Sequence, residues 1–148
     1  KTIEEIFSLA KNNNCNIFYP TDVLVGKNLN DKSQTKNLSE IENDDLILDI
    51  GDETIKTIVH LIKKSKTILW NGPAGYFENS NFAKGSIQIA QTIVNTENKI
   101  YSVAGGGDTI AVLNKTNTLK KFNFVATAGG AFLEYLEGKE IPGIKSLN

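Results

Sequence analysis

Three glycine-rich segments of the chain carry side chains that could hold a phosphorylated ligand. They are WNGPAGYFE at 70–78, GGGDT at 105–109 and ATAGGAFLE at 126–134. Glycine lets a ligand approach the backbone closely, and a helix that begins after such a turn presents free amides and the positive end of its dipole. These segments therefore point to the binding of an anion such as phosphate.

Asp108 ends the three-glycine run, and alone beside a phosphate its carboxylate would repel the ligand. Mg²⁺ favours carboxylate and phosphate oxygens together, so Asp108 is predicted to lie beside a divalent cation. Asp is also favoured in the first turn of a helix that binds nothing, and that alternative stays open at this point. Three glycines favour the ligand, because a helix cap needs one flexible residue at most.

The other two segments offer matching groups. In 70–78, Pro73 fixes the backbone, Asn71 offers an amide, and the Glu78 carboxylate suits the two hydroxyls of a ribose. A strand-to-helix turn beside a buried Trp70 is the competing interpretation of that segment. In 126–134, Thr127 could cap a helix whose amino terminus faces a second oxyanion. Two facing helix termini could stabilise a phosphoryl group during its transfer.

Hydrophobic periodicity predicts the elements that position these turns. Residues 16–20 and 22–26 are predicted as extended segments, and the polar residues 27–45 as a surface excursion that could include a short irregular strand. Asp22 and Asp49, at strand ends, could be site groups or turn formers, and the second interpretation is preferred. The predicted helices cover 2–12, 53–64, 82–95, 108–115 and 129–137, and the predicted strands 46–51, 67–70, 99–105 and 122–127.

Three successive strand–turn–helix units in the second half predict right-handed crossovers and an α/β fold with a mainly parallel sheet. Ligands of such sheets bind outside the carboxyl ends of the strands, where all three glycine-rich turns fall. The predicted topology therefore places the site independently of any motif.

Composition excludes several other functions. The net charge is −1, which recommends neither nucleic acid nor an anionic membrane as a partner. All 16 basic residues are Lys, so a phosphorylated acid would have to be held without the bidentate grip of Arg. No apolar stretch approaches the roughly 20 residues of a membrane span, and we expect a cytoplasmic protein. Cys15, the only cysteine, is predicted to be buried, and His60 to be solvated.

The segments TILWNGPAGYFE, SVAGGGDTIAVL and ATAGGAFLEYLEGKEIPGI, in this order, closely resemble the carboxyl-terminal half of the phosphoglycerate kinase family. FYPTDVLV and LILDIGDET resemble the preceding segments of the same family, so the resemblance covers essentially the whole chain. It implies a Rossmann-like three-layer αβα domain of a monomeric glycolytic enzyme. Such an enzyme moves a phosphoryl group between 1,3-bisphosphoglycerate and ADP, giving 3-phosphoglycerate and MgATP.

The resemblance also implies roles for individual residues. Asp108 would lie by Mg²⁺, and Thr109 by the phosphates of ADP or ATP. The amides of Gly107, Gly129 and Gly130 would face the transferring group. The remaining nucleotide contacts would come from Asn71 and Pro73 at the phosphates, Glu78 at the ribose, and Leu48, Tyr76 and Phe77 on the base side. Ala126 and Phe132 depart from the common family pattern, which has a serine and a small residue there, and Ala128 stands in its run of three glycines.

In that family an amino-terminal domain with arginines holds the glycerate. Residues 1–148 are therefore expected to form most of one nucleotide-binding domain. That amino-terminal domain and the first strands of this one would precede Lys1, so the chain alone is expected to be inactive. The alternative is a non-catalytic module that binds a nucleotide or sugar phosphate. A structural domain descended from an enzyme would have lost site groups, whereas Asn71, Glu78, Asp108 and Thr109 are all present.

Overall fold

A computed structural model describes residues 1–147, whose strands form two separate three-stranded sheets. The strands are β1 (Asp22–Gly26), β2 (Gln34–Asn37), β3 (Leu46–Ile50), β4 (Thr67–Trp70), β5 (Tyr101–Gly105) and β6 (Phe124–Ala126). The helices are α1 (Thr2–Asn12), α2 (Asp52–Lys64), α3 (Lys84–Asn95), α4 (Gly107–Lys115), α5 (Gly129–Leu136) and α6 (Pro142–Lys145).

The second half of the chain forms a parallel sheet of order β4-β5-β6, flanked by helices. Leu69 lies opposite Val103, which lies opposite Phe124, so the three strands are in register across the sheet. Helices α3 and α4 make the two crossovers, as the three strand–turn–helix units predict. The α/β class and the parallel sheet are confirmed. For each element predicted in 46–137, the first and last residues lie within two residues of the observed ones.

The first half forms an antiparallel sheet of order β2-β1-β3, which the sequence analysis predicted only in part. Residues 34–37 form a regular strand in the segment interpreted as a surface excursion, whereas residues 16–20 contain no strand.

The Lys36 ammonium lies 2.7 Å from the Asp45 carboxylate. Hydrogen bonds from Lys36, the Glu42 amide and Lys27 hold the pKa of Asp45 below its usual range. This sheet thus contains an ion-pair network.

The main core lies between one face of the parallel sheet and helices α2, α3 and α4. Its buried side chains include Trp70, Ala104, Val112 and Leu113. On the strands, Leu69, Tyr101 and Phe124 are instead 47%, 55% and 50% exposed. Helix α1 has no buried residue. Apolar surface is therefore left uncovered on both α1 and the parallel sheet.

Asp22 and Asp49 bind helix termini, so their interpretation as turn formers is wrong. The Asp22 carboxylate accepts hydrogen bonds from the amides of Glu53 at 3.0 Å and Thr54 at 2.8 Å, which caps α2. The Asp49 carboxylate accepts one from the amide of Gly85 at 2.9 Å, in the first turn of α3. Burial raises the pKa of Asp49. Each acid fixes a following helix to its strand.

Two predictions for single residues had different outcomes. His60 is exposed on α2, as predicted, but Cys15 is exposed, so its predicted burial is wrong. Cys15 follows α1, which buries no side chain and therefore offers no core for a small residue to enter. Within residues 1–147, no helix combines the length and apolar character needed to cross a membrane.

Candidate functional site

The three glycine-rich turns lie side by side at the carboxyl ends of the parallel strands. Asn71 follows β4, Gly106 follows β5, and Thr127 follows β6. Because neighbouring parallel strands end at the same edge of the sheet, the turns after them share that edge. The structure thus brings together the three segments that the sequence singles out.

The turns after β5 and β6 are in backbone contact. A Cβ atom on Gly129 would lie 2.7 Å from the Cα of Gly106 and 2.9 Å from its amide nitrogen. A Cβ atom on Gly106 would lie 3.1 Å from the Oδ1 of Asn71. These distances place Asn71 and the first turns of α4 and α5 around one small region of surface.

Both helix termini at this edge lack a side-chain cap. Gly106 caps α4 with φ of 93°, a left-handed conformation that glycine adopts without strain. Ala128 caps α5, and neither cap residue makes a side-chain hydrogen bond. Thr127 therefore does not cap α5. The helix begins at Gly129, so the capping position is held by Ala128 and not by Thr127. The first-turn amides remain available to an anion.

The glycines at this edge differ in what surrounds them. A Cβ on Gly105 would lie 3.2 Å from the Phe132 ring, and Gly106 and Gly129 are tightly enclosed as well. At Gly107 and Gly130, by contrast, a Cβ would meet nothing in residues 1–147 within 4 Å apart from its chain neighbours and the backbone of its own helix, and neither residue has a positive φ. Within residues 1–147, packing or backbone conformation therefore disfavours a side chain at Gly106 and Gly129 and crowds one at Gly105, but leaves room for one at Gly107 and Gly130.

Asp108 and Thr109 lie next to each other in the first turn of α4 but in opposite environments. Asp108 is exposed, and its carboxylate has no hydrogen bond or ion pair within residues 1–147. Thr109 is completely buried, and its hydroxyl is one of the buried polar atoms that lack a partner. An unpartnered buried hydroxyl costs about 1–3 kcal/mol, so this turn holds a group that a ligand or water would satisfy.

The loop after β4 is fixed by contacts along its length. The amide of Ala74 donates to the Ser86 hydroxyl at 3.0 Å, and the amide of Tyr76 donates to the Leu48 carbonyl at 2.7 Å. Pro73 is partly exposed within this fixed loop, and Glu78 is exposed and free of protein partners within residues 1–147. A carboxylate on a rigid loop is well placed to accept hydrogen bonds from a ligand.

The three residues predicted on the base side are largely enclosed by protein. Phe77 packs in the main core, and Leu48 packs in a second cluster with Leu24 and Phe82. Tyr76 packs against that second cluster but remains partly exposed. Tyr76 is therefore the one of the three whose side chain is most available to a ligand.

Three contacts of this loop were missed by the sequence analysis. Ser86 holds Ala74, and Asp49 lies under Gly75, where a Cβ would lie 2.5 Å from its carboxylate. The Lys115 ammonium donates to the Phe77 carbonyl at 2.6 Å. The only sequence signal for Lys115 is that it is a lysine in the last turn of α4, which the helix dipole favours with or without a partner.

A second group of acids lies far from this edge in the chain. The carboxylates of Glu42, Asp44 and Asp45 are close enough together to hold a metal ion. The Lys27 ammonium lies 2.7 Å from Asp44 and the Lys36 ammonium 2.7 Å from Asp45. Two lysine ammonium groups thus pair with these three acids, so the cluster is an ion-pair network.

Comparison with known proteins identifies relatives named phosphoglycerate kinase. The profile of the family described as phosphoglycerate kinase matches residues 1–139. The phosphoglycerate kinase of Zymomonas mobilis is 43% identical over 150 residues, covering 99% of this chain and 38% of that protein. The phosphoglycerate kinase of Buchnera aphidicola from Schizaphis graminum is 49% identical over 134 residues, covering 89% of this chain and 34% of that protein.

Solved structures give the same result. Phosphoglycerate kinase from Coxiella burnetii superposes with a TM-score of 0.87 at 38% identity, covering 96% of this chain and 36% of that one. Phosphoglycerate kinase from Pyrococcus horikoshii superposes with a TM-score of 0.79 at 26% identity, covering 98% and 36%. The chain thus spans little more than a third of the length of the relatives that it matches.

Proposed function

Because the chain belongs to the phosphoglycerate kinase family, we propose that it is the part of such an enzyme that holds the Mg-nucleotide. The reaction is phosphoryl transfer between 1,3-bisphosphoglycerate and ADP, giving 3-phosphoglycerate and ATP in glycolysis. The nucleotide lies along the carboxyl edge of the parallel sheet, with its phosphates at the glycine turns.

The observation that carries this proposal is the open space at Gly107 and Gly130. Packing within residues 1–147 does not require these residues to lack a side chain, and both belong to the uncapped first turns of α4 and α5. A ligand that approaches the backbone closely explains both features. Amides fixed in this way can stabilise negative charge on a phosphoryl group as it moves, without reorganising during the reaction.

Asp108 fits the Mg²⁺ that the proposal requires. Its carboxylate is exposed and unpaired within residues 1–147, and Mg²⁺ prefers such oxygen ligands together with substrate phosphates. The ion neutralises phosphate charge when it is bound. Asn71 contacts the phosphates from the neighbouring turn, and the Thr109 hydroxyl, which has no partner within residues 1–147, is satisfied by a phosphate oxygen.

The loop after β4 binds the nucleoside. Glu78 accepts hydrogen bonds from the ribose hydroxyls, since its carboxylate is exposed and free of protein partners within residues 1–147. Pro73 keeps the loop close to the phosphates, and Tyr76 contacts the base. Leu48 and Phe77 support that contact from the cores in which they are buried.

The glycerate substrate is held by other residues of the enzyme. A chain whose 16 basic residues are all Lys lacks the bidentate grip that favours a phosphorylated acid, so an arginine-bearing amino-terminal domain supplies it. We propose a cytoplasmic monomer that binds neither nucleic acid nor membranes. Residues 1–148 alone do not turn over substrate, because this domain lacks the partner that presents the glycerate.

Titration of the chain with ADP, with and without Mg²⁺, tests the proposal. Asp108→Ala should weaken binding at least about tenfold when Mg²⁺ is present and much less when it is absent, because the carboxylate acts through the ion. The matched control is Asp52→Ala, which removes an exposed acid from the first turn of α2 and should leave binding unchanged.

Two results would count against the proposal. Equal weakening by Asp108→Ala with and without Mg²⁺ would remove the role of Asp108 beside the ion. An unsubstituted chain that binds Mg-ADP no better than inorganic phosphate would contradict the nucleotide site itself.

A further inference from the structure

Lys115 is the last residue of α4, and its ammonium contacts a distant part of the chain. The Nζ atom donates a hydrogen bond of 2.6 Å to the carbonyl oxygen of Phe77, 38 residues earlier. Among residues 1–147, the Lys115 ammonium has this carbonyl as its one hydrogen-bond partner. The bond therefore joins α4 to the loop after β4.

The contacted carbonyl belongs to the peptide bond that immediately precedes Glu78. On one side of Glu78 the Phe77 ring is buried in the main core. On the other side the Asn79 side chain donates to the Leu29 carbonyl at 2.7 Å. Lys115 fixes the orientation of the peptide bond between Phe77 and Glu78. That orientation determines the direction in which the Glu78 side chain leaves the backbone.

Helix α4 meets both ends of the proposed nucleotide site. Its first turn contains Gly107 and Asp108, and its last residue holds the peptide before Glu78. The helix spans nine residues. Its length along the axis is roughly 12 Å. One rigid element thus separates the phosphate turn from the loop that presents Glu78.

The helix dipole alone does not account for this contact. A lysine in the last turn is favoured by the negative end of a helix, whatever its ammonium touches. Lys64 illustrates that case, because it ends α2, is exposed, and has no side-chain hydrogen bond or ion pair within residues 1–147. Lys115 differs from it in reaching across to another element.

We infer that Lys115 is a positioning residue that sets the distance between Glu78 and the first turn of α4. In this way it makes the site selective for phosphorylated ligands that carry ribose hydroxyls. The inference rests on the proposed nucleotide site and adds to it a residue that touches no ligand.

Binding of Mg-ADP and of Mg-2′,3′-dideoxy-ADP to the 148-residue chain tests the inference. The two ligands have the same base and phosphates. They differ only in the two ribose hydroxyls, which would donate hydrogen bonds to the Glu78 carboxylate. Lys115→Met should weaken Mg-ADP binding about tenfold and dideoxy-ADP binding less than about twofold, the size expected for a lost hydrogen bond to a charged group. Lys115→Arg should retain most of the preference, because a guanidinium can donate to the same carbonyl.

Lys64→Met is the matched control and should change neither affinity. Two results for Lys115→Met would assign Lys115 a merely structural role and overturn the inference. One is a preference for Mg-ADP over dideoxy-ADP that stays unchanged, whether both affinities fall equally or neither falls, and the other is a loss of the helical circular dichroism signal. If the unsubstituted chain binds Mg-ADP but shows no preference over dideoxy-ADP, the inference fails while the phosphate site stands. If it binds neither nucleotide, the proposed function fails with it.

Discussion

The glycines at the carboxyl edge of the parallel sheet are glycines for different reasons. Gly106 has a positive φ, and Gly129 lies against the backbone of Gly106, so internal structure accounts for both. Gly107 and Gly130 are surrounded by open space. The sequence alone could not separate these cases, because three adjacent glycines look alike until their neighbours in space are known.

Gly129→Ala and Gly130→Ala form a matched pair that tests this distinction. The Gly129 variant should lose about 1–3 kcal/mol of unfolding free energy, because its Cβ would overlap the Gly106 backbone. The Gly130 variant should be as stable as the unsubstituted chain or slightly more so, since alanine is favoured in helices. Its affinity for Mg-ADP should nevertheless fall.

Urea unfolding and Mg-ADP titration of the two variants measure these effects. A Gly130→Ala chain that keeps full affinity for Mg-ADP would mean that no ligand approaches this backbone. A stable Gly129→Ala chain would mean that the two turns can separate without cost.

Other site residues were predictable to different degrees. Asn71 and Asp108 could be found because a polar side chain beside glycines after a strand is visible in the sequence, and Glu78 because its carboxylate ends the glycine-containing segment 70–78. Thr109 could be found only as a neighbour of Asp108, and its complete burial was not foreseen. Lys115 could not be found at all, because its contact with Phe77 joins segments that only the folded topology brings together.

At the scale of elements, periodicity was sufficient where a segment buries one continuous apolar face. Helix α2 and strand β4 are of this kind, and their boundaries were predicted within one residue. Strand β2 is polar, with only Lys36 buried, so no alternation marks it. It exists because β1 supplies its hydrogen-bond partners and because Lys36 pairs with Asp45.

Asp22 shows how one side chain joins two elements, and its contribution should depend on pH. Burial acts to raise its pKa, but hydrogen bonds from Thr54 and Glu53 outweigh burial and lower the pKa below its ordinary value. The stabilisation is therefore present above the ordinary pKa and is lost as the pH falls through the lower folded-state value.

Asp22→Ala should cost about 1 kcal/mol of unfolding free energy near neutral pH, as expected for a lost helix cap. Urea unfolding at about pH 7 and about pH 3 should show the difference from the unsubstituted chain narrowing at the lower pH. Glu97→Ala, which removes an exposed acid without a partner in the described residues, should have little effect at either pH. A difference that stays constant or widens on acidification would contradict the capping role of the charged form.

At the scale of the whole molecule, apolar side chains are exposed on a chain that matches little more than a third of its relatives' length. Leu69, Tyr101 and Phe124 lie on the exposed side of the parallel sheet, and α1 presents Ile3 and Phe7 to solvent. The chain covers 38% of the Zymomonas mobilis relative. We propose that further parts of the enzyme cover these surfaces. In the sequence, such parts were expected only from the resemblance to the family.

We propose that a Mg-nucleotide lies at the carboxyl edge of the parallel sheet. Amide chemical shifts of the isotope-labelled chain, recorded during titration with Mg-ADP, show where the nucleotide binds. We expect saturable shifts in residues 71–78, 105–109 and 129–130, with the strand 34–37 unchanged. Shifts centred on the ion-pair network of Lys27, Lys36 and their acids, or no shift at the three turns, would contradict it.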